Sequence, residues 1–488
     1  MNRINRYLIF VGLLYFLYKK HKYLLYFIFS KTNSGKKYIE DKKSKAITTI
    51  KNSVFKTKWK NNFNTLTSKG FSEEDIKNLV LHRKKETNNK ISGTIYNNKE
   101  SNRTIASFIY NQYLYSNPLH SDLFPELNKM ESEIVKMVGD LFDLPKEGGG
   151  NLTTGGTEST ICAIKAYKKY KEKNSYFRFG KLEVLTTKTG HAAINKACEL
   201  LDLRLVYVNL NEDFTMDLDD LQRKISRNTC VVIASAPCFP YGIMDPINDI
   251  GEICKNNNVC FHVDACLGGF ITQFSPILKL SFSNNIDSIS VDPHKFGYAP
   301  KGSSVILWKS KEIKHYQYFI ASDWCGGIYA SCSLPGSRVG SQIATTWGIL
   351  IHNGLDYYKS MATKLIEATI KLKTDIKAID SFEVIGDPMV NVVAFKSNKY
   401  SISTIVDAFE KQKWNLNILQ NPICLHICIT PKNIDSLDEF VDILKNIKTT
   451  KESKKDNLVA IYGLAAKIPD KSLVDEIVEQ YLDYTTNL

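Results

Sequence analysis

The chain has 488 residues, long enough for two or three domains, and 43% of them are apolar, which supplies a sizeable core and excludes wholesale disorder. The formal charge is +13, yet residues 1–60 alone hold 15 Lys and Arg against two Asp and Glu, and the rest carries 49 of each sign. A neutral body argues against a nucleic-acid partner; the basic excess lies beside an apolar N-terminus and suits an anionic membrane surface.

That N-terminus reads YLIFVGLLYFLY (7–18), KKHK (19–22) and YLLYFIFS (23–30). A membrane span takes about 20 apolar residues. The first run has 12, and the whole stretch is long enough but carries lysines in its middle, which snorkelling accommodates. No small-residue cleavage site follows, so residues 1–30 are expected to be a retained single-pass anchor whose basic flank keeps the body cytosolic. Residues 31–60, rich in Lys and Asn with little periodicity, read as a basic stalk. The 11 cysteines are odd in number and scattered through apolar segments without a CxxC pair, as in a reducing compartment.

From about residue 61 the pattern is globular. An N-terminal segment (61–125) leads into MESEIVKMVGDLF (130–142), which has helical apolar spacing. Short β-branched runs then alternate with helix-length stretches: LEVLTT (182–187), LRLVYVNL (203–210), TCVVIASAP (229–237), VCFHVDA (259–265), DSISVD (287–292) and SSVILWKS (303–310). Such alternation predicts an α/β domain over 126–355 with a mostly parallel sheet. Residues 356–488 change to an α+β pattern and are expected to form a smaller C-terminal domain. Within it, CLHIC (424–428) puts Cys424, His426 and Cys428 on one strand face. Three ligands at strand spacing seldom complete a zinc site, so a core strand is expected there and no metal.

Three pieces carry chemistry. GGGNLTTGGTESTICAIKAYKKY (148–170) sets Gly155, Gly156 and Thr157 before an amphipathic helix, whose free N–H groups and positive dipole end suit a phosphate. It matches neither GxGxxG nor a Walker A sequence, and alone it reads equally well as a turn. FHVDACLGG (261–269) puts Asp264 at the end of an apolar strand, where it either caps a loop or pairs with a protonated pyridine nitrogen. SISVDPHKFGYAPKGSS (288–304) puts Lys295 where a core strand runs into a glycine-rich loop. Burial there is expected to depress its pKa, as Schiff-base chemistry asks. Phosphate loop, strand-end aspartate and then lysine, in that order, is the arrangement of a pyridoxal-phosphate enzyme. His191, in TGHAAINKA, opens a helix and either lies over the cofactor ring or is an ordinary polar helix start.

NPLHSDLFPELNKMESEIVKM, TTGGTES, HAAINKA, HVDACLGGF, DPHKFGYAPKGSS, DWCGGIYAS, WNLNILQ and AIYGLA together resemble the sphingosine-1-phosphate lyase family. This is a branch of the group II decarboxylase-like pyridoxal-phosphate enzymes. The resemblance runs from about Ser92 to about Ala465 and implies the aspartate-aminotransferase-like fold (fold type I). It implies Lys295 as the Schiff-base lysine, Asp264 on the pyridinium, Gly156 and Thr157 on the phosphate, and His191 stacked on the ring, with His294 among the cofactor contacts. It also implies that Asn117, His120, Tyr110 and Lys301 face the substrate, Lys301 and His120 either gripping a phosphomonoester or moving a proton. The implied reaction is retro-aldol cleavage of a phosphorylated sphingoid base by a homodimer in the endoplasmic-reticulum membrane. One departure lies in SLPGSRVG (333–340), where the family usually has proline at Val339. A decarboxylase acting on amino acids is the alternative, although it has no use for an anchor. A catalytically dead membrane scaffold is the other, although it has no need for the three motifs.

Overall fold

The computed structural model describes residues 31–54, 66–84, 87–97, 99–174, 180–447 and 471–486. The expected anchor and the AIYGLA motif lie outside the described residues. Seven strands form the larger sheet: β1 Gly149–Thr153, β2 Glu183–Thr187, β3 Arg204–Val208, β4 Thr229–Ser235, β5 Cys260–Asp264, β6 Ser288–Val291 and β7 Ser304–Trp308. Their order is β1-β7-β6-β5-β4-β2-β3, with β2 to β6 mutually parallel and β7 antiparallel to both its neighbours. The mostly parallel sheet is as expected.

Its strands are β-branched runs because both faces are covered. On β4, Val231 and Ile233 pack with Ile164 and Tyr167 of the helix Gly156–Asn174, and the alternate residues Val232 and Ala234 pack with Ile134 of the helix Pro125–Leu141. Side chains of a strand point alternately to its two faces, so one run feeds both cores. β1 differs from expectation: GGNLT reads as part of a loop, but it pairs along its whole length with β7. A Cβ on Gly150 would come within 2.4 Å of the Ile306 carbonyl oxygen, so the glycines are what let this edge strand in.

A short hairpin follows, β8 Phe319–Ala321 with β9 Tyr329–Ser331. The long helix Gly340–Lys377 breaks at Gly354, whose φ of 68° lies in the left-handed region. Beyond it, β10 Phe382–Val384, β11 Val392–Ser397, β12 Asn417–Leu419 and β13 Cys424–Cys428 form an antiparallel sheet in the order β10-β11-β13-β12. β13 is the buried strand expected for CLHIC; His426 bonds the Pro240 carbonyl at 2.8 Å and Asn417 at 3.0 Å. The loop after β4 thereby joins the two sheets, helped by Tyr241, whose hydroxyl donates to the Asn421 carbonyl. The basic stretch read as an aperiodic stalk is helical over Asn33–Val54 and packs against the helix Lys471–Thr486. Lysine and alanine form helices readily, and a packed neighbour supplies what a weak apolar stripe does not.

Candidate active site

Parallel strands deliver their carboxyl ends to one edge, and three neighbours end there together. Ser235 closes β4, Asp264 closes β5 in register with it, and β6 pairs its Ser290 with Asp264. β6 then enters a tight turn, Asp292–Pro293–His294–Lys295, in which the Lys295 N–H donates to the Asp292 carbonyl at 3.0 Å. β1 runs in the same direction, so its exit brings Thr154, Gly155 and the start of the helix Gly156–Asn174 to this edge. Ser235, Asp264, Asp292, His294, Lys295 and Thr154–Gly156 line a cavity of about 380 Å³, together with buried Tyr96 from the N-terminal segment and exposed His191.

The Cys266 N–H donates to Asp264 Oδ1 at 3.0 Å, which fixes the carboxylate at the cavity wall. Two residues earlier on the same face, His262 is fully buried between Ser288 Oγ (2.7 Å) and Ser290 Oγ (3.2 Å). Burial pushes its pKa down to about 4, so it is a neutral spacer between strands.

Lys295 departs from expectation. Burial does act to depress its pKa, but the carboxylate of Asp292 lies 2.9 Å from Nζ and outweighs it, so the amine is held well above the ordinary lysine value. Burial likewise opposes charge on Asp292, and Lys295 and then His294, at 3.4 Å, overcome it and hold the carboxyl well below the usual range. Asp292 is 1% exposed, and its Oδ1 has no hydrogen-bond partner among the described residues. The nearby Ser304 hydroxyl also favours the charge, and lies 3.2 Å from the Val291 carbonyl and 2.9 Å from Ser159 Oγ. DPHK reads as a turn; nothing in that spelling shows an aspartate folding back under a lysine three residues on.

Residues 74–398 match the family described as pyridoxal-dependent decarboxylase conserved domain. A sphingosine-1-phosphate lyase of Dictyostelium discoideum is 36% identical over 463 residues, which cover 91% of this chain and 86% of that protein. The sphingosine-1-phosphate lyase 1 of Mus musculus is 35% identical, over 90% of this chain and 80% of its own length. The chain belongs to the sphingosine-1-phosphate lyase family. Among solved structures, the sphingosine-1-phosphate lyase of Burkholderia pseudomallei superposes with a TM-score of 0.75 at 28% identity, covering 81% of this chain and 94% of that one. A glutamate decarboxylase of Lactobacillus brevis superposes with a TM-score of 0.70 at 18% identity and shares the fold.

The cofactor of this family is pyridoxal 5'-phosphate, and the residues present fit it. The cavity offers one primary amine, one strand-end carboxylate and a helix N-terminus whose first-turn N–H groups have no partner within the helix. A Cβ on Gly156 would lie 2.8 Å from Cys266 Sγ and 3.2 Å from Asp292, so only glycine keeps that end of the cavity open.

A second cavity of about 260 Å³ shares Thr154 and Glu158 with the first and is lined by Tyr110, Lys301 and Val339. Lys301 Nζ sits 4.5 Å over the Tyr96 ring, and burial, then the charge of Lys295, lower its pKa. Asn117 and His120 line neither cavity. Asn117 Oδ1 accepts from the Leu119 and Arg338 N–H groups and its amide donates to Ser337, so it clasps the 333–340 loop, and His120 is exposed nearby. The same loop is held by Arg338, whose guanidinium meets Glu131 in a two-bond fork at 2.7 and 2.8 Å. A larger cavity of about 720 Å³ lies along the free edge of β1, away from Lys295 and Asp264.

Proposed function

We propose that this chain cleaves phosphorylated sphingoid bases between the amine-bearing and hydroxyl-bearing carbons, releasing a long-chain aldehyde and phosphoethanolamine in sphingolipid degradation. The observation that carries the reading is the convergence of Lys295, Asp264 and the Gly156 helix on one cavity, in a chain whose relatives bear the lyase name over most of its length.

Pyridoxal phosphate, when bound, supplies the electron sink that carbon–carbon cleavage needs. Lys295 would tether it and give way to the substrate amine. Asp264 would keep a proton on the ring nitrogen, and the first-turn N–H groups at Gly156 and Thr157 would hold the phosphate, with His294 beside them. His191 would lie over the ring. Lys301 and Tyr110, in the adjoining cavity, face the substrate, where the Lys301 ammonium grips a phosphomonoester or hands on a proton. Asn117 and His120 act on the substrate side through the loop that Asn117 clasps.

The chain works as a homodimer whose partner closes the site with the hairpin region 326–338. Residues 1–30 anchor it in the endoplasmic-reticulum membrane, where a lipid substrate resides, with the body in the cytosol. Incubation of the purified protein with sphinganine 1-phosphate tests the reaction. Equal amounts of long-chain aldehyde and phosphoethanolamine are expected. Carbon dioxide from amino acids, with no aldehyde from the sphingoid base, would overturn it in favour of a decarboxylase.

A further inference from the structure

A lyase that makes an aldehyde beside a catalytic lysine carries a hazard. Whenever the substrate amine takes its place, Lys295 is a free side chain next to a newly made carbonyl. A neutral amine would form a C–N bond to that carbon, the carbonyl oxygen would leave as water, and the resulting imine would cap the one lysine the cycle needs. Burial alone favours the neutral amine and so makes the hazard worse.

We propose that Asp292 shields Lys295 from the aldehyde product by holding the displaced amine as an ammonium, which has no lone pair to attack with. The inference rests on the lyase reading for the identity of the aldehyde. The geometry is suited to it: Asp292 Oδ2 is 2.9 Å from Lys295 Nζ, and Asp292 is 1% exposed while the Lys295 side chain is 22% exposed. The counter-charge therefore lies beneath the amine, on the side away from the cleft mouth. The other groups facing the amine are Asp264 and Cys266 from the end of β5, Tyr96 from the N-terminal segment, Cys428 from the end of β13, and Lys301, while His294 shares Asp292 Oδ2 at 3.4 Å. Burial raises Cys266, Tyr96 and Cys428, which keeps all three neutral, and Lys301 only repels. Asp264 would be committed to the ring nitrogen in the loaded protein, and in the cofactor-stripped one its Oδ1 takes the Cys266 N–H. Asp292 is the carboxylate left for Lys295, which it meets through Oδ2 at 2.9 Å, closer than His294 at 3.4 Å on the same oxygen.

The test is chemical trapping on cofactor-stripped protein, which needs no turnover. The protein is incubated at neutral pH with hexadecanal and borohydride, and each lysine is followed by peptide mass spectrometry. Lys295 of the wild type is expected to be marked more slowly than the exposed Lys196. In Asp292→Asn it should be marked about tenfold faster than in the wild type or more, since each unit of depression raises the neutral fraction about tenfold. Asp292→Glu, which keeps the charge, should restore protection. Marking of wild-type Lys295 as fast as Lys196, or no gain in Asp292→Asn, overturns the proposal. Reactivity of the buried Cys162 toward a thiol reagent reports unfolding; if the Asn variant unfolds, loss of protection in a folded Glu variant overturns the proposal instead. Failure of the lyase reading appears separately, in the product analysis above.

Discussion

Asp264 closes β5, and Lys295 follows the end of β6, the parallel strand beside it. Lys295 is given its own counter-ion in Asp292, at 2.9 Å, and Asp264 is left to face the cavity with one oxygen on the Cys266 N–H. Asp264→Asn preserves an oxygen for that N–H and removes only the charge. The variant is therefore expected to fold and to lose on the order of 10³-fold in kcat, about 4 kcal/mol of barrier. Steady-state kinetics beside a circular-dichroism spectrum check it; a loss under about tenfold would remove Asp264 as the ring-nitrogen partner. Lys295 and Asp264 could be singled out in the sequence as candidates because a charge at the end of an apolar strand has few reasons to be there. Asp292 was not, since an aspartate before proline is ordinary turn chemistry and its meeting with Lys295 exists only once the turn closes.

At the level of elements, what holds the site is a set of loops pinned by buried polar groups. Asp245 accepts the Ser235 N–H at 2.8 Å and the Met216 N–H at 3.0 Å, tying the exit of β4 to the loop after β3. Burial pushes its carboxyl from 3.8 up to about 6, against those two hydrogen bonds. A carboxyl raised on folding binds its proton more tightly in the native state. Its contribution is full below the unfolded value and is lost as pH rises through the folded one, here between about pH 4 and about pH 6. Relative to Asp245→Asn, the wild type should thus lose stability over that window, on the order of 3 kcal/mol at most. Urea unfolding of both proteins at about pH 4 and about pH 7 measures it, and parallel behaviour of the two would show that Asp245 does not titrate there. The 333–340 loop yields a second expectation. Val339 has φ −78° and is 56% exposed, and its N–H makes no hydrogen bond among the described residues. At Val339 itself, φ and the unbonded N–H already meet what proline demands. Val339→Pro should raise stability by about 0.4–1 kcal/mol, read as a higher Tm; a fall would mean that proline had disturbed Arg338 and its fork to Glu131. The strand–helix alternation that announced the sheet is strong because both faces are buried. The glycine-rich β1 and the three-residue strands β8, β9 and β12 carry no such signal, being held by pairing with neighbours and not by their own side chains.

For the whole molecule, the separation of charge predicts a separation of roles. Residues 1–60 carry the entire excess of +13, and none of the residues assigned to the cavity lies among them. The apolar segment 7–29 lies outside the described residues, and no helix among the described residues is long and apolar enough to cross a membrane. Removal of residues 1–30 should therefore release the protein from the membrane fraction and leave cleavage of a dispersed phosphorylated sphingoid base unchanged. Removal of residues 1–60 should behave differently in one respect. It deletes the helix Asn33–Val54, which packs on Lys471–Thr486, and so uncovers a helix that already shows Val478 and Leu482 to solvent. The shorter protein is expected to keep its turnover per active site and to associate more, because an added apolar face on a surface helix seeks cover. Sedimentation and activity of the two truncations distinguish these outcomes, and an inactive protein lacking only residues 1–30 would show that the anchor is part of the catalytic fold. In sealed membranes holding the full chain, a protease added outside should digest the body if the lysines flanking the apolar segment keep it on the cytosolic face as proposed; protection of the body would reverse the orientation.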